Sequence, residues 1–562
     1  MYLEDPGVKG QLRIWMMNYG TKSRWAVFFV FFAYLILVNS LPVTITMWQG
    51  YDDALFIRLG RSIADGQWLG PYNELTLMKG PIYPIFLALV SCIGLSFATA
   101  QFVLHFIASL YFSHTVSRLF QQKGLAFWST FIVLLLCPAI YTASGAVIRE
   151  FFYADLGLIL FALGCRAFLQ SFARRSDFAF AALAGGVFGA YWLTREEGIA
   201  IVPSISVLIL GSILARNFSS TELKLLVTKA CLFLASTIVF VSIIGFINQR
   251  YYGRFETIEM KSSEFQNAME ALQRVGAPYE LPFLPVPRAA RDDIYRESPS
   301  FARLKEYLDP TGGKNPFTVA CTSVAISTCG DLPGGFFMWA LRDAASRAAI
   351  YQSSTSAADF YRTLTAEIRT ACDEGRLRCT RWLTPFLPSM TPEQWRAVPS
   401  GVWKGLQLLI YIPDPDFARP ASSLDAPDAL QSLNFLNVNY GSIKLSDQPL
   451  PPTLVKQWIN SFSLRLFAHL TIWYRFVILG GMAAFLLLVV TAPSSLRTPS
   501  ALFTSALFLA ALVRVVILAL IESSSFGALY YSRVAPAAPL MVAASILSFY
   551  LLRSARASKK NR

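Results

Sequence analysis

The sequence predicts an all-α polytopic membrane protein of about ten transmembrane helices plus an interfacial helix, carrying a mostly helical extracytoplasmic insert. Three observations lead there. Hydrophobic residues make up 54% of the chain and charged residues only 15%, with a mean hydropathy of +0.46, a balance that belongs to multi-pass membrane proteins rather than soluble domains. Ten apolar runs approach the ~20 residues that cross a bilayer. Between the seventh and eighth of them, residues 250–468 are rich in Pro and charge and contain no run of that length.

Seven runs fall in the first half, at about 25–45, 99–118, 125–142, 152–171, 178–193, 198–214 and 226–247; three follow at 469–490, 500–520 and 533–552. The first is longer than a signal peptide's apolar core and has no small-residue cleavage pattern behind it, so it is expected to stay as a helix. The segment from Ile82 to Phe97 is apolar but short, opens with Tyr83-Pro84 and is followed at once by another run. If it lies flat, the loops with Arg118, Lys123, Arg174, Arg175, Arg216, Lys224, Lys229 and Arg497 and the basic tail all share the N-terminal side. That is the positive-inside pattern with both termini cytoplasmic, and a crossing segment would break it. The net charge of +14 is therefore read as loop anchoring, and a nucleic-acid partner is set aside.

The chain divides on this reading into a transmembrane core at 1–249, the insert at 250–468, and C-terminal helices with a basic tail at 469–562. The insert is long enough to bury a core, and Ser356 to Glu374 and Pro392 to Leu409 show helical periodicity. Cys321, Cys329, Cys372 and Cys379 are the cysteines of the insert. An oxidising compartment allows two disulfides among them, most simply Cys321 with Cys329 and Cys372 with Cys379, out of three pairings. Zinc is disfavoured, because no Cys-x-x-Cys occurs and the insert has no His. His105, His114 and His469 read as isolated packing residues.

This topology gathers acidic and mixed-charge loops on the face opposite the termini. The first holds Tyr51-Asp52-Asp53, Arg58, Tyr72, Lys79-Gly80-Pro81 and Tyr83. Asp before a periodic apolar run is a good helix cap, which accounts for one carboxylate more readily than two. Arg149-Glu150 with Asp155 form the second loop, and Thr194-Arg195-Glu196-Glu197 and Glu522 to Arg533 the others. Charges at helix ends also serve as interfacial anchors whose stems snorkel.

The order Asp52-Asp53-x-x-Phe56, then Lys79-Gly80-Pro81-Ile82-Tyr83-Pro84 and a flat helix, resembles the membrane glycosyltransferases of the GT-C class. The nearest branch is that of the protein O-mannosyltransferases and the transferase that adds aminoarabinose to lipid A. The Arg118 to Gly124 turn, Cys137-Pro138, Ser144 to Asp155 and Tyr531-Ser532-Arg533-Val534-Ala535-Pro536 add to the resemblance, which leaves out the insert. It implies inverting transfer of a sugar from a polyprenyl-phosphate donor to a glycan, lipid or protein acceptor on the outer face of the cell's inner membrane. Asp52 matches the class's catalytic base and Asp53 its acidic neighbour. Arg58, Lys79, Tyr83, Arg149, Glu150, Arg195, Glu196 and Arg533 are the expected substrate-binding residues. No metal ligand is assigned; a divalent cation is left open, since Met78 stands where the lipid A branch carries a metal-binding Glu. A transporter or flippase, or a non-enzymatic envelope assembly protein, are the competing readings. Few ionisable residues sit mid-span, Arg514 chief among them, which disfavours transport.

Overall fold

The computed structural model describes residues 21–41, 43, 52–120, 122–143, 146–170, 175–214, 219–276, 279, 281–318, 330–380, 390–413, 429–438 and 454–560. Helices are its only extended regular elements among these residues. The longer ones are α1 (Thr21–Asn39), α2 (Asp53–Ala64), α3 (Ile82–Cys92), α4 (Phe97–Ser117), α5 (Lys123–Leu135), α6 (Glu150–Gly164), α7 (Arg175–Thr194), α8 (Val202–Leu214) and α9 (Ser220–Tyr252). The insert adds α10 (Gly334–Arg347), α11 (Ser354–Asp373) and α12 (Pro392–Ile410). The chain closes with α13 (Leu454–Thr491), α14 (Pro499–Ser524) and α15 (Ala538–Lys560).

Eight helical segments among the described residues are long and apolar enough to cross a membrane, and α3 with α4 would make a ninth if taken as one span. The expected ten included α1 and α4 as separate spans. Among the described residues α1 contributes the apolar stretch Ser23–Asn39, short of a full span, and α4 is diluted by Gln101, His105 and His114. The axis turns by 111° between α3 and α4, so α3 cannot continue α4 as a straight span and runs crosswise to it. The span Glu150–Gln170 is 94% buried in its apolar window against 17% for Ser220–Tyr252. The first therefore forms the centre of the bundle and the second its rim.

The centre carries charge that the sequence reading misplaced. Asp155 was expected in an outer loop, but the helix already starts at Glu150 and takes Asp155 inside, fully buried. His105, expected to be isolated, lies with Nδ1 2.7 Å from Asp155 Oδ1 and Nε2 3.1 Å from the Leu134 carbonyl. His114 likewise receives Arg118 at 2.8 Å. At the rim, buried Lys229 donates to the Ala167 carbonyl at 3.0 Å and sits 3.9 Å from Asp177. These groups pair with one another, which is how charge is tolerated inside a bundle.

The insert docks on the first loop. Arg342 of α10 donates from Nε to the Glu74 carbonyl at 2.9 Å and from Nη2 to Glu259 at 3.1 Å. Ser346 donates to Glu74 at 2.7 Å and Tyr72 to Glu259 at 3.2 Å. Leu77 accepts from the Glu259 amide at 2.8 Å, so the loop ahead of Lys79 is clamped by the insert. Cys372, at the end of α11, is disulfide-bonded to Cys379 with Cα atoms 5.7 Å apart; Cys321 and Cys329 lie outside the described residues. The helices expected at Ser356 to Glu374 and Pro392 to Leu409 are α11 and α12.

Candidate active site

Asp52 occupies the N-cap position of α2, yet its side chain makes no capping bond. It hydrogen-bonds instead to Lys79 Nζ in a tight ion pair. Asp53 does the local work: it is buried, and its Oδ1 accepts from the Ala54 amide at 2.9 Å. The Asp52 side chain is 45% exposed while that of Lys79 is 8% exposed, so the carboxylate is the member of the pair that a second molecule can reach. Burial pushes the Asp52 carboxyl up, but the Lys79 ammonium outweighs it, helped by Arg149 and Arg533, and the pKa ends below the usual range. Burial lowers the Lys79 pKa, and Asp52 offsets this only in part.

Gly80 explains how Lys79 is aimed. A Cβ there would stand 1.5 Å from the Leu193 carbonyl oxygen of α7, so only glycine lets the first loop lie against the end of that helix. Gly80→Ala is expected to push the loop outward at a cost of about 1–3 kcal/mol and to separate Lys79 from Asp52. A lowered melting temperature would bear this out; an unchanged one would refute it.

Phe56 forms the floor. Its ring lies 5.2 Å from Lys79 Nζ and 5.4 Å from the Arg149 guanidinium carbon, close enough for cation–π attraction to both. Tyr83, buried, sets its ring edge-on to Phe56 at 5.2 Å and supports the floor rather than facing the opening. Arg58 is exposed on α2 and joins none of these contacts among the described residues.

The second and third loops exchange partners. Arg149 donates to both Glu196 oxygens at 2.9 and 2.6 Å and to the Thr194 carbonyl at 2.8 Å. Arg195 pairs with Glu150 and with Glu197 at 3.0 and 3.2 Å. Such forked pairs fix geometry as well as charge, and they tie the start of α6 to the end of α7. Arg533 is held differently: its guanidinium lies over Phe526 at 4.8 Å and Tyr530 at 5.5 Å, and among the described residues no carboxylate forms an ion pair with it. Its own carbonyl accepts from Arg514 at 3.0 and 2.6 Å.

Two residues of the insert reach this site, and nothing in the sequence singled them out. Trp339 sets its ring 5.7 Å from Lys79 Nζ. Lys261 lies 4.8 Å over Trp192 with its ammonium buried and without a hydrogen bond among the described residues; burial lowers its pKa, partly offset by Glu196 and Glu197. Both come from a segment where the loop motifs have no counterpart.

A divalent cation does not fit these residues. Asp52 is engaged by Lys79, Glu196 by Arg149, and Glu150 and Glu197 by Arg195. Among the described residues no three His, Cys, Asp or Glu side chains come together as a ligand set.

The arrangement therefore offers one reachable carboxylate among several cations, at the ends of membrane helices. Two solved proteins are similar to the chain at low TM-score. The chain is similar to ArnT from Cupriavidus metallidurans in the apo state, with 15% identity and a TM-score of 0.33 over 96% of this chain and 78% of that one. With undecaprenyl phosphate bound, ArnT gives 13%, 0.30, 95% and 79%. It is also similar to the archaeal oligosaccharyltransferase AglB from Archaeoglobus fulgidus, in complex with an inhibitory peptide and a dolichol-phosphate: 14% identity, TM-score 0.37, 97% of this chain and 52% of that one. No family model matches the chain, and no curated protein matches it.

Proposed function

We propose that the chain is an inverting glycosyltransferase that moves a sugar from a polyprenyl-phosphate donor to an envelope glycan, lipid or protein acceptor. The observation that carries this reading is the Asp52–Lys79 pair, a reachable carboxylate bound to a nearly buried ammonium, with Arg533 among the cations that hold the Asp52 carboxyl below its usual range. Donor phosphate competes with Asp52 for Lys79. Once Lys79 and Arg533 hold the phosphate, Asp52 is released to accept the proton of the acceptor hydroxyl. The acceptor oxygen bonds to C1 as the C1–O bond to phosphate breaks, and the polyprenyl phosphate leaves with the electron pair. Cations already in place stabilise that developing charge, and a carboxylate in reach of the hydroxyl supplies general-base catalysis.

Arg149, Glu150, Arg195 and Glu196 act in this reading as the frame that ties the second loop to the third, because their charged groups are already engaged with one another. Asp53 positions the start of α2. The insert contributes Trp339 and Lys261 to the wall of this site. The distribution of basic loops supports a site on the side opposite the termini, facing the exterior or the periplasm.

The pH profile follows from Lys79. Its lowered pKa means that the ammonium loses its proton below the ordinary lysine value of about 10.4, so donor affinity is expected to fall on the alkaline side before that pH. Lys79→Arg keeps its charge there and is expected to move this limb upward. A limb unmoved by Lys79→Arg removes Lys79 from phosphate binding. The assignment as a whole is tested by incubating membranes containing the chain with candidate polyprenyl-phosphate sugars. Donor loss matched by mass gained on envelope glycan, lipid or protein supports transfer; donor intact with every candidate, or moved across the membrane unchanged, opposes it.

A further inference from the structure

The insert helix α12 has a low hydropathy and does not qualify as a span, yet it lies along one. Gln394 donates to the Ser523 carbonyl at 2.8 Å. A Cβ on Gly401 would stand 3.1 Å from Ala519 Cβ, and one on Gly405 2.6 Å from Val515 Cγ1. These contacts run α12 antiparallel to α14 from its insert-side end, down about 12 Å of its length at 1.5 Å per residue. The spacing of the two glycines is the small-residue stripe that lets helices approach closely within membranes. Beyond α12, the Tyr411 ring lies 5.0 Å from the guanidinium of Arg475, well inside α13, and Leu409 and Ile412 are buried. The C-terminal end of α12 is thus below the level at which α14 emerges.

At 100° per residue, the rest of α12 sorts into two flanks. On one lie Trp395, Pro399, Val402, Trp403 and Leu406, with Trp395 52% and Trp403 61% exposed. On the other lie Glu393, Arg396, Ser400, Lys404 and Gln407, several of which line an open cavity of about 430 Å³ shared with Glu522 and Leu529. Lys404 emerges between the levels of Ala519 and Val515, but its ammonium reaches up to Glu522 at 3.0 Å. A lysine stem reaching toward the helix end is the snorkelling expected of a charge at membrane depth.

We infer that α12 is a re-entrant helix of the insert, seated in the insert-side leaflet with its Trp395–Trp403 flank against lipid acyl chains. Trp395, level with the end of α14, sits where aromatic residues favour the headgroup boundary. Trp403 lies eight residues deeper. The neighbouring helix α13 likewise exposes apolar rings, Trp473 and Phe476 being 67% and 65% exposed. Glu522, which receives Lys404, also accepts from the Ala528 and Leu529 amides at 2.5 and 2.9 Å, so this anchor is tied to the turn that presents Arg533. The inference rests on the chain spanning a membrane and is independent of sugar transfer.

The test is photo-crosslinking of the full chain in phosphatidylcholine nanodiscs, with p-benzoylphenylalanine placed at 403 or at 400. Phospholipid adducts at 403, several-fold above those at 400, are the expected result. Equal adduct levels at the two positions, or a crosslink at 403 to a second copy of the chain, would overturn it. A milder variant guards against misfolding: Trp403→Phe should remove part of the fluorescence quenching caused by brominated lipid, and unchanged quenching would also count against the inference.

Discussion

Asp52→Asn is expected to lower sugar transfer by about 10²–10⁴-fold, the range that a positioned general base contributes, with donor affinity retained or increased. The sign of the affinity change follows from the ion pair. In the native chain Asp52 occupies Lys79; an amide competes less well for the ammonium, so phosphate meets less opposition. The variant should remain folded, because Asp52 is half-exposed and makes no capping bond to α2. A steady-state assay beside a donor titration separates the two effects. Transfer at the native rate would show that another group takes the proton, and lost donor binding would show that Asp52 serves the donor rather than the acceptor.

The second large effect is on stability, at the exchanged pairs. Arg149 is nearly buried, Glu196 is 21% exposed in its side chain, and the pair is forked. Removing one member of such a pair leaves a charge without its partner and costs about 3–5 kcal/mol. Arg149→Met should therefore lower the midpoint of denaturant unfolding markedly. The double variant Arg149→Met with Glu196→Met should recover much of the loss, since apolar groups of similar volume often replace a buried pair at little cost. A silent single variant, or a double variant that falls by the sum of the two singles, would show that the pair does not brace the loops.

How much of this was legible in the sequence differs by element. Membrane-spanning helices are set by the length and composition of apolar runs, so the all-helical polytopic fold could be read directly. The crosswise α3 followed from charge placement and Tyr83-Pro84. The convergence of Asp52 and Lys79 was also within reach, because both lie in one loop with a Gly80-Pro81 turn between them and the membrane. Asp155 was misread although the apolar run from about residue 152 already took it in: it was grouped with Arg149-Glu150 as a loop charge, and its partner His105 comes from a different helix.

What the sequence did not carry was pairing across distance. Arg149-Glu150 and Arg195-Glu196-Glu197 each hold a partner for their own arginine in sequence, and nothing local says that each arginine takes the other loop's carboxylate. Lys261 and Trp339 were missed for the same reason: they belong to the insert, and their approach to Lys79 and Glu196 depends on Arg342 clamping the first loop. The seating of α12 was hidden by its mixed composition, since one flank is polar and the hydropathy averages out.

The most direct test of the central claim, that Asp52 acts as a base in a single displacement, is the anomeric configuration of the product. A donor of defined anomer is turned over by the full chain in membranes, and the new glycosidic bond is examined by proton NMR at C1. Inversion is the result expected for attack opposite the phosphate with Asp52 taking the proton. Retention would contradict it, since two successive displacements would require a carboxylate to bond to C1 itself.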